Sequence, residues 1–220
     1  MEGQNFNFTN IFRSKIIESP NSRKPEDIVR NLLNYKRSGQ VLDVGAGNGN
    51  NAIFLAENGF NVSAVDSNID KIKELEKTAK NAGPNIISKI KTEVRDATKG
   101  IEGTFDIILS NKMLNFLSRD QALNLIEDIK KHTKKGGMNV ISAVMNEGDF
   151  WNQAQREKEE GVFNPNTDCF YASTNEIFSL YKDWEILEYK EEWKKYEIFY
   201  NDNPDAQNKT ALLTAKKIKD

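Results

Sequence analysis

From Gln40 onward short apolar runs alternate with longer amphipathic ones, and this alternation constrains the fold more than any other feature of the chain. "QVLDVG", "NVSAVD", "IKTEVRD", "TFDIILSN" and "MNVISAVM" have the length and apolar content of strands. The unbroken Ile107-Ile108-Leu109 run is that of a strand buried on both faces. Between them, "NNAIFLAENG" is a helix stopped by Gly59, and "NIDKIKELEKTAKNAG" sets Ile69, Ile72, Leu75 and Ala79 on one helical face before Gly83-Pro84. "SRDQALNLIEDIKKHTKKGG" opens with Ser118 and Gln121 at capping-box spacing, lines up Ala122, Leu125, Ile126 and Ile129, and stops at Gly136-Gly137. Strand–helix repeats of this kind predict a parallel sheet with helices on both faces.

The flanks differ from this core. Residues 1–38 read as an N-terminal extension with Phe6, Phe8 and Phe12, followed by a helix starting near Pro25. That helix has Glu26 and Asp27 in its first turn, where acids suit the dipole, and Ile28, Val29, Leu32 and Leu33 at helical spacing. Residues 146–172 are polar and irregular, and read as a helix and loop covering the domain. "STNEIFSLYKDW" reads as a short capped helix. "EILEYKEEWKKYEIF" and "KTALLTAKKI" are two strands around the turn "NDNPDAQN", which makes the sheet mixed and seven-stranded. One α/β domain over residues 1–220 is expected.

Charge and composition remove several classes of function. The 31 Lys and Arg balance 33 Asp and Glu at a net charge of -2, a poor match to a phosphate backbone, so no nucleic-acid partner is expected. The single cysteine (Cys169) and single histidine (His132) leave no disulfide and no His- or thiolate-based metal centre, and fit a reducing compartment. No run approaches the ~18 apolar residues of a membrane helix, and Met1 to Ser19 lack the apolar core of a signal peptide. A cytoplasmic protein without a membrane partner, monomeric or homodimeric, is expected.

"VLDVGAGNGN" joins the first strand to the first helix of the core. Glycines at such a turn let the backbone approach a ligand where a Cβ would collide. In dinucleotide-binding loops the spacing is G-x-G-x-x-G. Here the third glycine comes one position early, at Gly49, and Asn50 stands where that pattern has glycine. Asp43 lies inside the strand, two residues before Gly45, placed to meet a ligand's ammonium group. Asp66 ends the second strand, where ribose hydroxyls are bound in nucleotide folds, and Asp96 ends the third. Three acids at the carboxyl ends of consecutive strands converge on one crevice. Asp66 and Asp96 are also placed as helix caps.

"VLDVGAGNG" resembles motif I of class I S-adenosylmethionine (SAM)-dependent methyltransferases. The fold this implies is Rossmann-like and doubly wound, a mostly parallel seven-stranded sheet with an antiparallel C-terminal hairpin strand. The resemblance implies SAM as cofactor, with Asp43, Gly45, Ala46, Gly47, Asn48 and Gly49 around its methionine part. It further implies Asp66 and Ser67 at the ribose, Asp96 and the Ala97 amide at the adenine, and Ser110 beside the methyl group. The segments "NGNNAIFLAENGFNVSAVDSN", "FDIILSNKMLNFLSRDQALNLIEDIKKHTKKGGMNVISAVM" and "FYASTNEIFSLYKDWEILEYKEE" are similar to the tellurite-resistance methyltransferases. The chain departs from that family at Ala46, where Cys or Gly is usual, and at Asn50, where Arg is usual. It also departs at "KKYEIF", where a His-Arg pair is usual, and in a longer Glu147-to-Thr167 segment.

The expected acceptor is a small molecule. Asn111, Lys112, Asn115 and Tyr171 are the substrate-side candidates, with Phe150 and Trp151 as further lining or as anchors of the cover. "SNKMLNF" lacks the Asp/Asn-Pro-Pro-aromatic signature of enzymes that methylate nucleic-acid amines. His132 reads as an exposed complement to a helix dipole, and Cys169 as packing. No catalytic base is assigned. Two alternatives stay open: a SAM-binding protein without catalysis, and a nicotinamide-dependent oxidoreductase in which Asn50 replaces a glycine.

Overall fold

Seven strands form one sheet in the computed structural model, which describes residues 24–160, 169–195 and 206–219. They are β1 (Gln40–Val44), β2 (Asn61–Asp66), β3 (Ile90–Val94), β4 (Phe105–Asn111), β5 (Thr133–Gly148), β6 (Glu185–Lys195) and β7 (Gln207–Lys216), in the order β3-β2-β1-β4-β5-β7-β6. The first five run parallel, and β7 is antiparallel to both β5 and β6. The chain steps outward from β1 to β3 and then crosses back to β4. The carboxyl ends of β1 and β4 therefore flank the switch point, where open α/β sheets bind ligands.

One face carries α1 (Asp27–Asn31), α2 (Asn50–Glu57) and α3 (Ile69–Ala82), whose apolar residues pack on Val41, Ile107, Leu109, Val140 and Leu212. A five-residue helix is unstable by itself. What holds α1 and the 3-10 turn after it (Leu32–Asn34) is burial: Ile28, Val29, Leu32 and Leu33 are at most 1% exposed, and such side chains contribute about 1.5–3 kcal/mol each. Glu26 precedes this helix instead of opening its first turn. The opposite face carries α5 (Arg119–His132) and α7 (Glu176–Leu180), packed on Leu42, Ile108, Ile141 and Leu213. A short α4 (Pro84–Ile87) follows α3, and α6 (Asp149–Glu159) follows β5.

Several local expectations need correction. Ile69 does not join the buried face of α3; it opens the helix and is 52% exposed, while Ile72, Leu75 and Ala79 are buried. Helix α5 has its capping box but stops at His132, four residues before Gly136. Thr133 is drawn into the sheet instead, where its hydroxyl donates to Ile129 O at 2.7 Å and accepts from Asn139 Nδ2 at 2.6 Å. Residues 134–137 bulge between two stretches of β4 pairing, and the glycines serve that bulge: Gly136 N donates to Lys217 O, and Lys217 N to Gly137 O. Strand β3 ends at Val94, two residues short of Asp96. Helix α7 has no side-chain cap; Glu176 accepts from Ser173 N at 2.9 Å in its place. The expectations on Phe6, Phe8 and Phe12, on residues 161–168 of the cover, and on Tyr196 to Phe199 of "KKYEIF" lie outside the described residues. No helix among the described residues is long and apolar enough to cross a membrane.

Candidate functional site

The glycine loop leaves β1 and is fastened to β2. Gly45 N and Ala46 N both donate to Val65 O, at 2.9 and 3.0 Å, and Gly47 N donates to Asp66 Oδ2 at 2.9 Å. The three glycines have different jobs. A Cβ on Gly45 would lie 2.5 Å from Met113 Cγ, and one on Gly49 2.3 Å from Leu75 Cγ, so the outer two glycines admit neighbouring side chains. A Cβ on Gly47 would meet nothing within 4 Å, so the middle glycine faces open space at the switch point.

The three acids are placed in three electrostatic settings. Asp43 is 1% exposed, and its Oδ2 has no hydrogen-bond partner. Burial first, and the charge of Asp66 second, push its carboxyl up to about 7. Asp66 is half-buried, and its Oδ1 accepts from Asn68 N at 2.9 Å while Oδ2 holds Gly47. Asp96 caps a 3-10 turn (Ala97–Lys99): Oδ1 accepts from Thr98 N at 2.9 Å and Thr98 Oγ1 at 2.7 Å, and those bonds hold its carboxyl below the usual range. Asp66 and Asp96 thus do serve as local caps, and each keeps lone pairs that the cap does not use. Ser67 is exposed beside Asp66, and Ala97 is buried. Asn48 Oδ1 and Ser110 Oγ are buried and, like Asp43 Oδ2, lack a hydrogen-bond partner.

On the β4 side, Ser142 of β5 connects two candidates: its hydroxyl donates to Asn111 Oδ1 at 2.6 Å and accepts from Lys112 N at 2.8 Å. The Asn111 carboxamide thereby accepts through Oδ1 and keeps Nδ2 as its donor. Lys112 has a left-handed backbone (φ 57) and sends its ammonium to Glu26 Oε1, while Glu26 Oε2 holds Lys194 of β6 at 3.4 Å. Burial opposes ionisation of Glu26, but the two lysines outweigh it and hold the carboxyl below its usual range.

A profile of the family described as Tellurite resistance protein TehB matches residues 21–211. The chain belongs to the TehB family. It is 30% identical over 178 residues to a probable S-adenosyl-L-methionine-dependent methyltransferase TehB of Haemophilus influenzae, covering 81% of this chain and 57% of that relative. The chain thus spans little more than half the length of that relative. The crystal structure of TehB from Haemophilus influenzae superposes with a TM-score of 0.73 at 29% identity, over 88% of this chain and 62% of that one. Magnesium protoporphyrin IX methyltransferase (ChlM) from Synechocystis, solved with bound S-adenosylhomocysteine, superposes at 0.66 and 17% identity over 87% of this chain and 80% of that one, a likeness of fold alone. The fold is that of the class I methyltransferases.

In this TehB-family chain the remaining candidates occupy other places. Asn115 gives both ends of its amide to backbone: Oδ1 accepts from Val144 N at 2.9 Å, and Nδ2 donates to Phe170 O at 2.7 Å and Val144 O at 3.2 Å. It pins the last residues of the cover to β5. Tyr171 packs edge-on against Trp151 of α6 at 5.3 Å, so the two aromatics join the end of the cover to its helix. Phe150 N donates to Asn208 Oδ1 at 2.8 Å, anchoring the start of α6 on β7. His132 is half-buried, not exposed, with Nδ1 2.6 Å from Gly103 O, at the amino end of β4 and therefore away from the crevice. Sequence reasoning missed Glu26 as a site residue, and missed Lys194, Ser142 and Met113. Only Glu26 carried a local signal, and that signal was spent on the helix dipole.

Proposed function

We propose that this chain is a SAM-dependent methyltransferase that methylates a small molecule and leaves S-adenosylhomocysteine. The observation that carries this reading is the unpartnered Oδ2 of buried Asp43 beneath a loop whose middle glycine faces open space. A buried, unsatisfied carboxylate oxygen costs free energy unless a donor reaches it, and an amino-acid ammonium is such a donor. Asp66 keeps a lone pair on each oxygen for ribose hydroxyls, and Oδ2 of Asp96, with the Ala97 amide, suits the adenine edge. Gly45 to Gly49 and Ser67 line the path between, with Ser110 toward the methyl group.

SAM supplies a methyl group on a sulfonium, which is displaced in line by a nucleophile held close to it. The chain's part is therefore to bind, orient and exclude water. Asn111 offers a donor through Nδ2 to an oxygen or other lone pair of the acceptor, Tyr171 stands with Trp151 in the cover, and Asn115 positions that cover. The near-neutral charge supports a small acceptor over a nucleic acid. We place the protein in the cytoplasm, as a monomer or homodimer.

The test is incubation with methyl-labelled SAM and a panel comprising a thiol, an amine, a carboxylate and a metalloid oxyanion. Label transferred to at least one acceptor, with S-adenosylhomocysteine formed in equal amount, is expected. Tight cofactor binding with transfer to none of them would favour a non-catalytic SAM-binding protein.

A further inference from the structure

An α-amino acid carries its carboxylate on the same carbon as its ammonium, so a site that receives the ammonium at Asp43 needs a cation close by. Resting on the SAM reading above, we infer that Lys112 is that cation, binding the carboxylate of the cofactor's methionine part in exchange for Glu26.

Four observations lead there. Met113 packs against Gly45, so its chain neighbour Lys112 leaves β4 beside the start of the glycine loop. The Lys112 backbone is held in its left-handed conformation by the bond from its N–H to Ser142 Oγ, a strain that a non-glycine residue keeps only where its surroundings impose it. Its ammonium reaches Glu26, whose own N–H donates to Asn51 Oδ1 at 3.3 Å in the first turn of α2. The Lys112–Glu26 pair thus links the end of β4 to the start of α2, the helix that the glycine loop opens. Finally, Glu26 has two lysines for its two oxygens, one from β4 and one from β6. When Lys112 turns to a ligand carboxylate, Lys194 still neutralises Glu26, because its other partner, Glu192 at 3.3 Å, keeps Lys190 at 3.1 Å. One ion pair replaces another and no charge is left bare, which keeps the exchange close to balanced.

The test compares two ligands on the full chain by calorimetry at pH 8: SAM, and decarboxylated SAM, which keeps the ammonium and lacks the carboxylate. Lys112→Met is expected to weaken SAM about tenfold, the lower end for a hydrogen bond to a charged group because Glu26 competes for it. Binding of decarboxylated SAM is expected to stay within about twofold, which also shows that the variant folds. Glu26→Gln is expected to tighten SAM several-fold and to leave the decarboxylated ligand unchanged; it keeps the test decisive if Lys112→Met does not fold. Equal losses on both ligands in Lys112→Met, or no preference between them in Glu26→Gln, would overturn the role of Lys112 alone. Failure of the wild type to bind either ligand would overturn the SAM reading and this inference with it.

Discussion

The amide of Gly47 donates to Oδ2 of Asp66 at 2.9 Å, and through this bond the middle of the glycine loop is tied to the carboxyl end of β2. Asp66 therefore orders the loop as well as facing the crevice. Asp66→Asn keeps one acceptor for two backbone donors, and its amide must oppose either Gly47 N or Asn68 N. Stability is expected to fall by about 1–2 kcal/mol, roughly 2–8 °C in melting temperature for a domain of this size, and SAM affinity by tenfold or more. Asp96→Asn keeps its cap, so it is expected to weaken SAM without lowering the melting temperature. Thermal melts and calorimetry on the two variants check the contrast.

The glycines give a second contrast. Gly49→Ala brings a Cβ to 2.3 Å from Leu75 Cγ, a clash inside the α2–α3 packing, and overpacking of this kind costs about 1–3 kcal/mol. Gly47→Ala meets nothing within 4 Å and bears only the strain of its positive φ, about 1 kcal/mol. Denaturant unfolding is expected to show Gly49→Ala as the less stable protein. Ligand binding is expected to show Gly47→Ala losing at least tenfold in SAM affinity, because its methyl would enter the open space proposed above for the ligand.

Asp43 makes both stability and binding depend on pH. Its carboxyl titrates at 3.8 ordinarily and at about 7 when folded, through burial and the charge of Asp66. Between those values the folded chain holds a proton that the unfolded chain has released. Its contribution is thus full below about pH 4 and is lost as pH rises to about 7, up to about 4 kcal/mol. Asp43→Asn is expected to be more stable than the wild type at pH 8 and to show little difference at pH 4. An ammonium ligand requires the ionised form, so SAM affinity is expected to fall about tenfold for each pH unit below 7. Titrations at pH 6 in buffers of differing ionisation enthalpy are expected to register proton release.

Asn115 is predicted to act on the cover. Asn115→Ala leaves Val144 N and Phe170 O without their side-chain partner, a loss of about 1–3 kcal/mol. Its melting temperature is expected to fall by several degrees, while SAM affinity stays within twofold.

The parallel core was legible because strand burial writes itself into local apolar runs: Ile107 to Leu109, Val41 and Leu42, and Val140 and Ile141 are all interior. Asp43, Asp66 and the glycines were legible because a strand–turn–helix crossing places them by chain position alone. What local pattern could not reveal depends on partners far along the chain. Thr133 reads as helix until Phe105 of β4, far back along the chain, pairs with it across the sheet. Asn115 reads as a substrate contact until Val144 and Phe170 claim its amide. Glu26 reads as a dipole complement until Lys112 and Lys194, 86 and 168 residues away, close on it.

The most direct test of the whole account is a calorimetric titration of the wild-type chain with SAM at pH 8, where Asp43 is ionised. A single site with micromolar or tighter affinity, weakened at least tenfold by Asp43→Ala, is the predicted result. No binding at high micromolar SAM, or binding indifferent to Asp43→Ala, would contradict it.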